Sequence, residues 1–260
     1  MIDVSVAVVV FNQSSDELMH ILAQFNKLTE NSKYSHEFYL IDNSSDNEET
    51  IKFFNQKSLL EKINVIKMDE NLGFGFGHNA VLNLLESKVH IFMNPDIQFD
   101  SLSRYDAMID YLLEDETIGA VSPLILNPDK TPQHLVRNAP TVFDLAIRFI
   151  GPNFFKSRQE KFMQIELGYD SPRFFTNASG SFLIVKTEVL KKIGGFDTRY
   201  FMYMEDTDLS RTISNNWNVL FYPYFSVIHL WARENHNIKG MMRMIRSMVM
   251  YFNKWGWKVF

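Results

Sequence analysis

The 260-residue chain contains no cysteine, which removes disulfides, thiolate nucleophiles and cysteine-based zinc sites together and fits an intracellular protein. Any metal has to be held by oxygen or imidazole ligands. Long apolar runs are missing as well: none reaches the roughly 18 residues that a membrane-spanning helix needs. The opening Met1-Ile2-Asp3-Val4-Ser5 carries an acid where a signal peptide would carry Lys or Arg. The expectation is a cytoplasmic protein that stays on the side of the membrane where it was made. Nor is there an excess of positive charge. With 26 Lys and Arg against 31 Asp and Glu the net charge is −5, which speaks against a broad polyanion-binding surface and against nucleic acid as a partner. Hydrophobic residues are abundant, at 46%, enough at this length for one large core and too many for disorder.

The first 125 residues alternate between two periods. Val4 to Phe11 is a valine-rich apolar run of strand length, typical of a strand covered on both faces, and Phe38 to Ile41, Ile63 to Lys67 and Val89 to Met93 repeat the type. Between them, Leu18, Ile21, Leu22, Phe25 and Leu28 recur at helical steps, as do Ala80, Leu82 and Leu85, with Ser15 and Ser45 as candidate N-caps. This alternation predicts an α/β fold, a Rossmann-like, mainly parallel central sheet with helices on both faces. Its ligand site is expected beyond the carboxyl ends of the strands.

Each conspicuous motif falls at such an end. Phe11-Asn12 follows the first strand, and Asp42-Asn43-Ser44-Ser45-Asp46 follows the second. An acid just past a strand can accept from a base imide or a ribose hydroxyl, and the same run also reads as a capped turn. After the third strand, Asn71-Leu72-Gly73-Phe74-Gly75-Phe76-Gly77-His78-Asn79 opens a helix expected to start near Ala80. Its glycines allow either close approach of a diphosphate to the backbone or tight packing of a helix on the sheet. After the fourth, Pro95 fixes the backbone of Asn94-Pro95-Asp96 and presents Asp96. About 110 residues further on, Tyr203-Met204-Glu205-Asp206-Thr207-Asp208-Leu209 packs three acids into four positions beside Tyr200 and Phe201. Crowded acids fit a solvated helix start, but aromatic surfaces beside carboxylates suit a sugar ring and raise a neighbouring acid's pKa.

Taken in order, these pieces resemble the inverting nucleotide-sugar glycosyltransferases of family 2, with the GT-A fold. The resemblance is carried by Val8 to Asn12, Ile41 to Asp46, Asn71 to Asn79, Met93 to Asp96, Gly180-Ser181-Phe182, Gly194-Gly195-Phe196-Asp197 and Phe201 to Leu209, and spans roughly residues 4 to 230. The pairing of Asn-Leu-Gly-Phe with Asn-Pro-Asp looks most like the rhamnosyltransferase branch, which implies a dTDP-rhamnose donor, with a UDP-linked sugar as the alternative. The resemblance places Phe11, Asn12, Asp42, Asn71, Gly73, Gly75, Asn79, Asn94 and Asp96 on the donor. It makes Asp96 and His229 ligands of Mg2+ or Mn2+, Asp206 the catalytic base paired with Glu205, and Tyr203 and Asp208 acceptor-side residues. Asn94 stands where the family's Asp-x-Asp motif begins with an acid, and an amide is the weaker cation ligand.

The implied layout is a catalytic domain over 1–235, with a nucleotide-sugar-binding half to about 125 and an acceptor-side half beyond, then a helical extension over 236–260. Between 126 and 179 the sequence yields only turns at Asn127-Pro128-Asp129 and Thr131-Pro132. There, Arg148 to Arg158 reads either as an acceptor-side segment or as a packed excursion. The stretch Met241 to Phe260 mixes Arg243, Arg246, Lys254 and Lys258 with Trp255 and Trp257. It suits either an anionic membrane surface, near a glycan or lipid-linked acceptor at the inner face of the plasma membrane, or a closing helix packed on the core or on a second copy in a homodimer. Two other classes compete. A non-catalytic nucleotide-sugar-binding module would not need the acids at 205–208, and a nicotinamide oxidoreductase would carry its glycine turn after the first strand.

Overall fold

Valine fills five of the seven positions of the first strand, with Ser5 and Ala7 at the other two, and the fold buries it on both sides. The computed structural model describes residues 2–151, 154–230 and 238–260, with the side chains of 57 and 148–150 left aside. In chain order the elements are β1 (Val4–Val10), α1 (Ser15–Glu30), β2 (His36–Asp42), α2 (Glu48–Phe54), β3 (Asn64–Lys67), α3 (Phe74–Asn79), β4 (Val89–Met93), β5 (Ile97–Gln98) and α4 (Tyr105–Glu114). There follow β6 (Ile118–Leu126), α5 (Val142–Ile150), α6 (Lys156–Phe162), β7 (Arg173–Phe175), β8 (Phe182–Lys186), α7 (Thr187–Ile193), α8 (Glu205–Ile213), β9 (Asn218–His229) and α9 (Ile238–Trp255).

The strands form one sheet in the order β3-β2-β1-β4-β8-β6-β9-β5, with β7 added on β9. Pairing is parallel from β3 through β4, as the sequence periods predict, and mixed beyond, where β8 runs antiparallel to both β4 and β6. Alternation along β1 feeds two cores. Val4, Val6, Val8 and Val10 pack with α1, α2 and α4, whereas Ala7 and Val9 pack with Val189 and Leu190 of α7 and Leu209 and Ile213 of α8. Strand direction then decides where the chemistry lies. The carboxyl ends of β1 to β4, the amino end of β8 and the carboxyl end of β9 share one edge, because β8 is antiparallel to β4 and β9 is parallel to β6.

Three local expectations need correction. The cap of α1 is Ser14 rather than Ser15: its hydroxyl accepts from Glu17 N–H while the Glu17 carboxylate returns to the Ser14 N–H, a capping box. The cap of α2 is Asn47 rather than Ser45, because its side chain reaches Thr50 N–H. Helix α3 begins at Phe74, inside the glycine run, and gives way to turns where the apolar spacing from Ala80 suggested a helix. Gly73 makes that early start feasible. At φ 103° a Cβ there would lie 2.0 Å from the Phe201 carbonyl oxygen, and Phe74 N–H donates to that same oxygen at 3.1 Å. Gly77, in turn, has only 2.9 Å between a notional Cβ and Val9 Cγ1, so the run lets α3 press against β1.

Candidate active site

The edge described above gathers the sequence-singled residues into two corners joined by a short stretch of backbone. The first corner is built on β4 and β9. His229 ends β9 and pairs with Ile97 of β5. This brings its Nε2 to 3.3 Å from Asp96 Oδ1 and 3.4 Å from Asn94 Nδ2. Gln133 fixes the ring from behind: its amide nitrogen donates to the carbonyls of His229 and Leu126, at 2.9 and 3.3 Å, so its oxygen is the atom that faces His229 Nδ1 at 3.1 Å. An amide oxygen only accepts, so Nδ1 carries a proton, and in the neutral ring Nε2 turns its lone pair toward the corner shared with Asp96 and Asn94. No sequence signal marked Gln133.

The second corner is the acid turn. Tyr203 and Met204 both adopt left-handed backbone, φ 69° and 67°, before α8 begins at Glu205. Consecutive non-glycine residues in this region are strained, and such strain collects at functional loops. It swings Asp206 against Gly180, whose N–H donates to its carboxylate at 3.1 Å, while Thr207 N–H donates to the other oxygen at 2.7 Å. One residue on, the Ser181 carbonyl accepts from Asn94 N–H at 2.8 Å. The acid turn and the Asn94-Pro95-Asp96 turn therefore meet through the two residues Gly180 and Ser181. Gly180 belongs to a motif matched in the sequence, but its contact with Asp206 was not foreseen.

Glu205 differs sharply from its neighbour. It is buried, its Oε2 has no hydrogen-bond partner among the described residues, and desolvation, helped by the Asp206 charge, pushes its pKa up to about 8. The pair is thus split, with the proton residing on Glu205 near neutrality. Its native pKa lies above the unfolded value near 4.5. Stability held below pH 4.5 is consequently lost as pH rises toward 8. Glu205→Gln is expected to melt like the parent at pH 5 and above it at pH 8.5, in thermal scans across that range. A constant difference between the two proteins would show Glu205 to be ionised throughout.

The residues expected on the donor side line the same edge, several of them as clasps. Asn12, at φ 59°, accepts on Oδ1 from the N–H groups of Asp46 and Asn47 and donates Nδ2 to Asp46, binding the end of β1 to the turn after β2. Asp42 is buried and accepts from Ser45 N–H at 2.9 Å. Asn71 Oδ1 accepts from Asn43 Nδ2 and from Gly73 N–H, and Asn79 grips Phe196 through both its backbone groups. A Cβ on Gly75 would stand 2.8 Å from Phe196 Cβ. Phe11 is 43% exposed at the rim.

Asp208, expected on the acceptor side, is only 1% exposed and lies under α9. Lys254 Nζ donates to its Oδ2 and Trp255 Nε1 to its Oδ1, each at 2.7 Å. Ser247 adds a bond to the Met202 carbonyl, and Arg211 one to the Tyr251 hydroxyl. Of the two readings of the tail, packing on the core therefore describes the inner face of α9. Asp208→Ala should cost about 2 kcal/mol in chemical denaturation, below the 3–5 kcal/mol of a fully buried pair, because Lys254 keeps solvent access and a second partner in Asp197. A loss under about 0.5 kcal/mol would show that this contact does not hold the helix. The Arg148 to Arg158 segment lies partly outside the described residues, and within it Arg158 pairs with Asp144 at 2.6 Å.

The fold is shared with enzymes of the GT-A fold. The structure of GalNAc-T7 with UDP, GalNAc and Mn2+ superposes with a TM-score of 0.70 at 16% identity, over 97% of this chain and 48% of the other. A mannosyltransferase from Pyrobaculum calidifontis, in complex with GDP-Man and Mn2+, gives 0.63 at 16% identity, over 98% and 66%. The sequence carries the identification further: the model of glycosyl transferase family 2 matches residues 5–194, and the chain belongs to that family. Among curated relatives, an N-acetylglucosaminyl-diphospho-decaprenol L-rhamnosyltransferase of Mycobacterium tuberculosis is 29% identical over 180 residues, 64% of this chain and 58% of that protein. The rhamnosyltransferase WbbL of Escherichia coli K12 is 29% identical over 178 residues, 64% and 63%. The chain thus spans about three fifths of the length of these relatives.

Proposed function

We propose that the protein is an inverting glycosyltransferase of bacterial cell-surface polysaccharide synthesis. In this reading it moves rhamnose from dTDP-rhamnose to a hydroxyl of a glycan or lipid-linked acceptor at the inner face of the plasma membrane. The observation that carries the reading is the meeting of Asp206 with the Asn94-Pro95-Asp96 turn through Gly180 and Ser181. The donor sugar follows the relatives named as rhamnosyltransferases, and the lipid-linked acceptor follows the decaprenol-linked one.

The chemistry follows from the two corners. An acceptor hydroxyl oxygen attacks C1 of the donor sugar, the C1–O bond to the nucleoside diphosphate breaks, and the hydroxyl proton passes to Asp206. Attack opposite the leaving group inverts the anomeric centre. Asp206 is suited to receive the proton because Gly180 and Thr207 orient its carboxylate, and because Glu205 holds a proton of its own and adds no second charge.

Asp96 and His229, with the Asn94 amide beside them, fit Mg2+ or Mn2+, since the tautomer fixed by Gln133 leaves an imidazole lone pair beside a carboxylate. Among the described residues no group of three or more His, Cys, Asp or Glu side chains converges on one point. Diphosphate and water would therefore supply the remaining ligands, as is usual for cations held on nucleotides. When bound, such an ion supplies positive charge against the departing diphosphate. Donor hydrolysis over a panel of nucleotide sugars, with and without Mg2+ or Mn2+, should reveal cation-dependent turnover with dTDP-rhamnose favoured. A panel with no turnover in either condition, for a protein that also binds none of the donors, would remove this reading.

A further inference from the structure

Helix α9 has two apolar faces where a closing helix needs one. The inner face is accounted for by Gly240, Ser247, Tyr251 and Phe252, which are buried, Tyr251 and Phe252 in a cluster with Met204 of the acid turn and Leu145 of α5. The outer face carries Ile238, Met241, Met242, Ile245 and Val249, spaced three and four apart along one stripe, with exposures of 74, 45, 64, 46 and 40%. Beyond the helix, Trp257 and Phe260 stand 54 and 72% exposed. Such a contiguous stripe is uncommon on a free surface and marks an interaction.

Charge identifies the occupant. Residues 238–260 contain Lys239, Arg243, Arg246, Lys254 and Lys258 and no acid, in a chain whose net charge is −5. Lys239, Arg246 and Lys258 are exposed beside the stripe. A second copy docked by twofold symmetry would set this basic face against itself. An anionic bilayer complements it: apolar side chains enter the boundary between headgroups and acyl chains, basic ones meet the phosphates, and exposed aromatic rings sit at headgroup depth. No helix among the described residues is long and apolar enough to cross a membrane, so α9 would lie on the surface.

We infer that the outer stripe of α9 docks this protein on an anionic membrane surface. The same helix grips the acid turn through Asp208, and Arg243 stacks 4.5 Å over the Phe201 ring, so docking sets Asp206 close to the bilayer. This deepens the proposed reading and rests on it only for the lipid-linked acceptor.

Vesicle flotation of the full chain tests it without turnover. The chain should float with vesicles of phosphatidylcholine mixed with phosphatidylglycerol, remain at the bottom with phosphatidylcholine alone, and be released by high salt. Ile245→Glu should abolish flotation. Replacing Lys239 and Arg246 together by Gln should lower partitioning about 25-fold, about fivefold for each charge. An unchanged melting temperature verifies that each variant is folded. Absence of flotation on the mixed vesicles, or a folded Ile245→Glu protein that still floats, overturns the inference. So does a dimer in sedimentation that Ile245→Glu dissociates while the parent fails to float, since the stripe would then belong to a second copy. Failure of the glycosyltransferase reading would appear separately, as lost donor turnover with flotation intact.

Discussion

Replacing Asp206 by Asn is expected to lower turnover by about 10²–10⁴-fold while leaving the affinity for the nucleotide-sugar donor within about twofold. The substitution keeps shape and one acceptor oxygen, so the bond from Gly180 N–H, at 3.1 Å in the parent, has a partner in the variant. What disappears is the capacity to take a proton. Glu205 cannot replace it: the side chain is buried and, near neutrality, already protonated. Removing the Asp206 charge relieves only the smaller of the two causes that raise the Glu205 pKa, since desolvation is the larger. Single-turnover kinetics with donor binding followed by calorimetry separate the two effects. Turnover within tenfold of the parent would remove Asp206 from the role of base; equal loss of binding and turnover would make it a structural residue of the turn.

How much of this was legible in sequence depends on the range over which each signal acts. Short apolar-rich runs identified β1, β2, β3 and β4 within a residue or two; in β1 and β4 the signal is strong because both faces are buried, whereas β3, at the sheet edge, is only partly covered. The position of α3 was not legible. Its start depends on Phe74 finding the Phe201 carbonyl 127 residues away, which no local spacing encodes. Asn12, Asn71 and Asn79 were expected on the donor; the structure occupies their amides in clasps, and a lone asparagine gives no sign of which partner it will find. Asp208 misleads for a related reason. Within the acidic run it looks like its neighbours, and only the approach of Lys254 and Trp255, 46 and 47 residues later, sets it apart. Gln133 illustrates the limit: a single glutamine in a stretch without periodicity, it reaches the site through His229.

Replacing Asp96 by Ala should weaken the cation and the nucleotide together, because each is bound through the other. The parent is expected to bind dTDP more tightly as Mn2+ is added, and the Asp96→Ala protein to bind it weakly and without response to Mn2+. His229→Ala should move in the same direction, since its Nε2 shares the corner at 3.3 Å from Asp96 Oδ1. Gln133→Leu gives the most discriminating result. It leaves both ligand residues in place and removes the acceptor that fixes the imidazole proton on Nδ1, together with the donor to the His229 and Leu126 carbonyls, so its cost should be about 10–100-fold in Mn2+ affinity, the range typical of groups that orient a metal-binding histidine. A packing role alone would lower the melting temperature and leave the Mn2+ response of dTDP binding unchanged. A parent protein whose dTDP affinity ignores Mn2+ altogether would sink the cation reading of this corner, leaving Asp96 and His229 as a structural contact between the turn after β4 and the end of β9 and giving Asn94, the amide at the head of the motif, a direct physical explanation.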